Sequence, residues 1–141
     1  MMKSTSNLLI GYVTPRQFGP FSMPVPAQNS CLREYASSNG FSYGLPQCEH
    51  IFEGSYVQFF GTLNTVENGS NIAMYSQHML PQKEKDLKYT ENLITKKRLK
   101  IHFVLEKNIF EDKQFLINLK KLFVVSNTTK LNYKNLKKLN Y

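Results

Sequence analysis

The feature that most restricts the fold of this chain is a fourfold alternation of short apolar runs with longer stretches whose apolar residues recur at helical spacing. Leu8–Val13 is apolar and gives way to a stretch at 14–26 that holds prolines 15, 20, 24 and 26 and Gly19, so it reads as a buried first strand leaving into a long loop. Pro26 suits the first turn of a helix, Val25, Leu32, Tyr35 and Ala36 recur near helical spacing, and Asn39-Gly40 supplies a stop. Residues 41–45 alternate and end at Pro46, which predicts a second strand. Gly54 then precedes Tyr56, Phe59, Phe60 and Leu63, a helical stripe that closes near Asn68-Gly69, and 72–76 predicts a third strand. After Pro81, Leu87 and Ile94 mark a charged helix to about Arg98, and 101–105 predicts a fourth strand. Phe115, Leu116, Leu119, Leu122 and Phe123 follow the i, i+1, i+4, i+7, i+8 pattern, with Glu111 and Asp112 early and Lys120 and Lys121 late, as a last helix requires.

Right-handed crossovers convert such an alternation into a parallel sheet covered on both faces. The expected fold is therefore one three-layer α/β domain over 1–125 with about four parallel strands, followed by a polar, basic tail or short helix at 126–141. At 141 residues there is room for one domain, and no apolar stretch reaches the length of a membrane span. The run at Leu8 to Ile10 is too short for the core of a signal peptide, and two cysteines, Cys31 and Cys48, make no disulfide framework. A cytoplasmic protein is expected.

A formal charge of +8 suggests a polyanionic partner, but its distribution argues otherwise. Residues 83–141 hold 15 Lys or Arg against 6 Asp or Glu, whereas residues 1–82 hold 3 against 4. Lys and Asn are abundant while Arg and Ala are scarce, the drift of an AT-rich genome, and solvated lysine faces explain the excess better than a nucleic-acid surface does. Arg98 is the sole arginine in the basic part, although phosphate recognition usually draws on arginine forks.

Ligands of open parallel sheets gather at the carboxyl ends of the strands. The alternation places Thr14 and Arg16, then Gln47, Cys48, Glu49 and His50, then Ser76, Gln77 and His78, then Glu106 and Lys107 on that rim. Glu49 or Glu106 could serve as a general base with a histidine partner. Zinc is not expected, because adjacent residues rarely point at one metal and no spaced Cys or His pair exists; nor do the residues name a cofactor. Cys48 beside His50 could be a nucleophile, but an inert thiol is the plainer reading. His102 falls within the fourth strand, where a core histidine bonded to its neighbours is expected ahead of a catalytic one, with Glu106 further along on the same strand parity. Gln28, Asn29 and Arg33 share the first helix or its approach and would cap or face solvent unless the long loop folds over them as a lid. The stripe of Tyr56, Phe59 and Phe60 reads as core rather than as a base-stacking platform.

The runs "GYVTPR", "VPAQN", "LREYASSNGFSY", "CEHIFEGSY", "MYSQHMLP" and "IHFVLEK" together resemble the sporadic carbohydrate cluster proteins, small bacterial proteins of lipopolysaccharide O-antigen, capsule and other surface-glycan gene clusters. The resemblance covers about residues 9–107 and falls on Arg16, Gln28, Asn29, Arg33, Glu49, Ser76, His102 and Glu106. It brings no established reaction. A weaker likeness runs from "IGYVTPR" and "LREYASSNGF" to the catalytic domain of serine recombinases, and it implies a flavodoxin-like or resolvase-like sheet. That family carries a nucleophilic Ser after a Tyr-x-Arg on its first strand, where this chain has Tyr12-Val13-Thr14-Pro15, and no DNA-binding helix-turn-helix follows.

Taken with the resemblance, the rim implies a protein of surface-carbohydrate biosynthesis that binds or acts on a nucleotide sugar or phosphorylated sugar. Arg16, Gln28, Asn29, Arg33 and Ser76 would bind the ligand, and Glu49, His102 and Glu106 would handle protons. A non-enzymatic interaction or regulatory module for glycan-synthesis enzymes competes with that reading, and a resolvase-like nucleic-acid-binding domain stands third. A homo-oligomer is compatible with each.

Overall fold

The first strand forms over the residues its apolar run marks, β1 at Leu8–Val13, in a computed structural model that describes residues 7–20, 22–52 and 54–112 together with Ile117. After it come α1 (Val25–Ser38), β2 (Ser42–Tyr43), β3 (Gln47–Cys48), α2 (Val57–Thr65), β4 (Asn71–Met74), a 3-10 turn at Gln77–Met79, α3 (Glu84–Lys97), β5 (Lys100–Phe103) and β6 (Asn108–Phe110). Along the sheet the order is β2-β1-β4-β5-β6, with β3 also paired to β1. All these pairings are parallel except β5 with β6, which is antiparallel.

Side chains alternate across the strands and so divide the core into two layers. Leu9 and Val13 of β1 and Ala73 of β4 pack on Leu32 and Ala36 of α1. Tyr12, Ile72, Met74, Ile101 and Phe103 point the other way, onto Phe59 and Leu63 of α2 and Leu87 and Ile94 of α3. The result is the expected three-layer α/β domain with a parallel core. Phe59 and Leu63 bear out the reading of that stripe as core, while Tyr56 stays half-buried at its start.

Two short strands depart from the expected set. The strand expected to end at Pro46 is a single edge strand interrupted at residues 44–46: β1 advances from Leu9 to Tyr12 while its partner advances from Tyr43 to Gln47, one residue more. Proline lacks the N–H a ladder needs, and an edge position tolerates that loss together with the bulge it produces. The second is β6, whose three residues are too few to show a period. It arises because the chain reverses at 104–107, with Lys107 in the left-handed region (φ 59°) and its N–H bonded to the Phe103 carbonyl at 2.9 Å. An antiparallel edge on an otherwise parallel sheet is a common way to finish one.

The helix expected over 111–123 and the tail at 126–141 lie outside the described residues, apart from Ile117, which is helical. Among the described residues no helix is long and apolar enough to cross a membrane.

At the end of α3, Arg98 adopts a left-handed conformation (φ 54°, ψ 45°) and the Leu99 N–H returns to the Ile94 carbonyl at 3.0 Å. Glycine meets that geometry without a Cβ penalty, whereas an L-residue there costs about 1 kcal/mol. Arg98→Gly is therefore expected to stabilise the domain by roughly 0.5–1 kcal/mol in urea denaturation. An unchanged or lower midpoint would show that the exposed arginine makes a compensating contact.

Candidate functional site

At β1 the chain changes direction across the sheet: the connection through α1 leads to β2 and β3 on one side, and the connection through α2 leads to β4 on the other. Loops that part at such a switch point leave a crevice at the carboxyl edge. Here it measures about 610 Å³ and is formed by the loop after β1, by Tyr56 ahead of α2, by His78 on the 3-10 turn and by Lys83 and Asp86 at the start of α3.

Arg16 is the best-fixed cation in the crevice. Its backbone N–H and its Nε each donate to Thr14 Oγ1 at 3.3 Å, and one terminal nitrogen donates to the Phe52 carbonyl at 2.7 Å. The guanidinium lies over the Tyr56 ring, 5.1 Å from its centroid. Those contacts use two of its five side-chain N–H groups and hold the plane of the others in place.

The loop that carries Arg16 is closed at its base by Gln28, which is fully buried on α1. Gln28 Oε1 accepts the Thr14 N–H at 3.1 Å, and its Nε2 donates to the carbonyls of Thr14 at 2.6 Å and Met23 at 2.8 Å. One side chain thus ties both ends of the loop, and its amide is spent on backbone. Further along, Gly19 takes φ +56° and rests on His78, so close that a Cβ would stand 2.7 Å from the imidazole Cγ.

Glu49 lies beside the end of β1, its N–H on the Val13 carbonyl at 2.9 Å, with 3% of its surface exposed. Oε1 accepts the Tyr12 hydroxyl at 2.9 Å and the Phe59 N–H at 3.1 Å; Oε2 accepts the N–H groups of His50 at 3.0 Å and Gln58 at 3.1 Å, with Ser55 Oγ at 3.5 Å. Tyr56, the residue that precedes α2, makes no side-chain cap, so Glu49 satisfies the first amides of that helix from outside it. Burial pushes the carboxyl pKa up, the hydrogen bonds from His50, Gln58, Phe59 and Tyr12 pull it down, and the net shift is downward. Burial and the adjacent Glu49 charge raise the Tyr12 hydroxyl far above its ordinary value.

The remaining candidates stand in three other places. Ser76, fully buried, donates to Glu106 Oε2 at 2.6 Å and accepts the His78 N–H at 3.1 Å, while Glu106 Oε1 accepts the Gln77 N–H at 2.9 Å, so the pair locks the exit of β4 to the turn after β5. His102, on the α1 face, bonds Tyr35 and Asn71 rather than Glu106. Asn29 accepts the Tyr43 hydroxyl at 2.7 Å, and exposed Arg33 lies 6.0 Å from the centroid of the same ring. Cys48 is exposed, and among the described residues no three His, Cys, Asp or Glu side chains are grouped to hold a metal. Of the eight residues on which the resemblance falls, Arg16 alone lines the crevice, together with Thr14 and His78 of the rim that the strand alternation predicts.

Sequence reasoning missed Tyr12, Tyr56, Lys83 and Asp86. Tyr56 sits in an apolar stripe and Lys83 and Asp86 in a charged first turn, patterns that helix formation explains without any ligand.

No family model matches the sequence, and no characterised protein matches it in sequence. Solved structures do match in shape. The N-terminal catalytic domain of TP901-1 integrase superposes with a TM-score of 0.57 at 15% identity, over 95% of this chain and 99% of that one. A resolvase family site-specific recombinase from Streptococcus pneumoniae gives 0.59 at 12% identity, over 93% and 95%. This chain therefore has a fold like that of resolvase catalytic domains. The weaker of the two likenesses seen in the sequence is supported at the level of fold, and the resemblance to the carbohydrate cluster proteins gains no family match. Residues 7–21 contain no serine, so the end of β1 carries no counterpart of the nucleophile described above.

Proposed function

We propose that this chain is a binding domain on a resolvase-like scaffold, which holds a phosphate-bearing small molecule in the switch-point crevice and does not cleave DNA strands. Arg16 carries the proposal: a guanidinium immobilised by Thr14, Phe52 and Tyr56 at the mouth of a crevice is pre-organised for an oxyanion. Phosphorylated sugars and nucleotide sugars fit this chemistry, and they are the ligands that a role in surface-carbohydrate biosynthesis would require. Thermal-shift and calorimetric titration against a panel of both is the test. A ligand of this class is expected to raise the melting temperature of the wild type, and Arg16→Ala should weaken its binding at least tenfold, the loss of one charge-assisted contact. A panel that leaves the wild type unshifted would count decisively against the reading.

The likeness in fold favours a second reading, nucleic-acid binding. Residues 1–112 carry 11 Lys or Arg and 10 Asp or Glu, whereas residues 113–141 carry seven Lys and no acidic residue, so on this reading the phosphate contacts lie in the latter. Retention of duplex DNA on filters should then fall linearly in log K with log salt concentration, with a slope that shrinks when Lys134, Lys137 and Lys138 are replaced by Gln. Absence of retention at low salt would remove this reading.

A further inference from the structure

The crevice contains a charged group that an anion alone would not use. Asp86, half-buried in the first turn of α3, lines the same cavity as Arg16, and among the described residues its carboxylate has no hydrogen-bond donor or cationic partner. Lys83 lines the cavity too, yet forms no ion pair with it. Tyr56 feels both ends of the site: burial raises its hydroxyl's pKa, Arg16 pulls it down and Asp86 pushes it up. A simple anion entering here is attracted by Arg16 and Lys83 and repelled by Asp86. A ligand with hydroxyl groups beside its phosphate turns the repulsion into attraction, because hydroxyls donate to a carboxylate in short, charge-assisted bonds.

We infer that Asp86 is a specificity-determining residue of the crevice, accepting hydrogen bonds from the hydroxyls of a phosphorylated sugar whose phosphate lies on Arg16. The inference rests on the phosphate-binding reading above. It also gives the site a means of rejecting a DNA strand, whose backbone brings the anion without free hydroxyls.

Calorimetric titration of the full chain with glucose 1-phosphate, UDP-glucose and inorganic phosphate separates the two claims. Asp86→Ala is expected to weaken the sugar ligands at least tenfold and to strengthen inorganic phosphate by up to about threefold, opposite signs that a general loss of structure cannot produce. Asp86→Asn, which keeps one acceptor oxygen and the shape of the side chain, should fall between, and it serves if the alanine variant folds poorly. Arg16→Ala should weaken all three probes. If the wild type binds phosphate-bearing probes but Asp86→Ala changes sugar and phosphate alike, or neither, the inference fails while the reading stands. If the wild type binds none of the three, both fail.

Discussion

Replacing Glu49 with alanine is expected to destabilise the domain by about 3–5 kcal/mol in urea denaturation. The loss is large because the partners stay behind. The N–H groups of His50, Gln58 and Phe59 and the hydroxyl of Tyr12 all point at one carboxylate that is 3% exposed, and removing it leaves the buried Phe59 N–H and Tyr12 hydroxyl, and the partly buried amides of His50 and Gln58, without their acceptor. Glu49→Gln is expected to do little better, since its amide nitrogen would turn a donor toward N–H groups that already donate. The charge sets a pH dependence of known sign. Because the folded-state pKa is lowered, Glu49 contributes its full stabilisation above the unfolded value of 4.5 and loses it as pH falls toward and through the folded value. A Glu49→Ala variant within 1 kcal/mol of the wild type would show that water replaces the carboxylate at the start of α2.

His102 should dominate the pH range just above. The Tyr35 hydroxyl meets its Nδ1 at 2.7 Å, and its Nε2 meets Asn71 Oδ1 at 2.9 Å. Since an amide oxygen only accepts, Nε2 carries the hydrogen, and in the neutral imidazole Nδ1 accepts from the Tyr35 hydroxyl. The rings of Tyr35 and Phe41 stand edge-on to it at 5.6 and 5.4 Å and help to exclude water. Burial, and then the charge of Lys100, lower the pKa of His102 to about 4 from an ordinary value of 6.5. The folded state thus resists protonation: stability is complete above pH 6.5 and declines as pH falls from there to 4, by roughly 3 kcal/mol in all. A His102→Gln variant, with nothing to protonate, should be less stable at pH 7 and nearly flat across that window. Parallel stability curves for the two proteins between pH 7 and 4.5 would show that His102 is not the group responsible.

Both predictions concern residues that the sequence marked as candidates for proton chemistry. Glu49 follows an edge strand and precedes a helix, and either a base or a cap can occupy such a place. What separates the two roles is whether the amides of residues 58 and 59 come within reach, and that depends on how α2 packs against β3 and Tyr12. Likewise the strand parity of His102 placed it in the core, but its partners, Tyr35 on α1 and Asn71 on β4, are 67 and 31 residues away in the chain.

What the sequence determined by itself was local in origin. Period-2 and period-3.6 patterns, proline and glycine punctuation and the charged helix ends report which backbone conformation buries apolar side chains nearby, and from these the four parallel strands, the three described helices and the layered α/β class were legible. The tertiary structure alone decided the rest, because each remaining feature depends on residues that meet only after the crossovers have formed. The break in the edge strand follows from its register on β1, and β6 needs β5 as a template. The crevice joins Arg16, Tyr56 and Asp86 from three separate connections, whose common position is set by the reversal of strand order at β1.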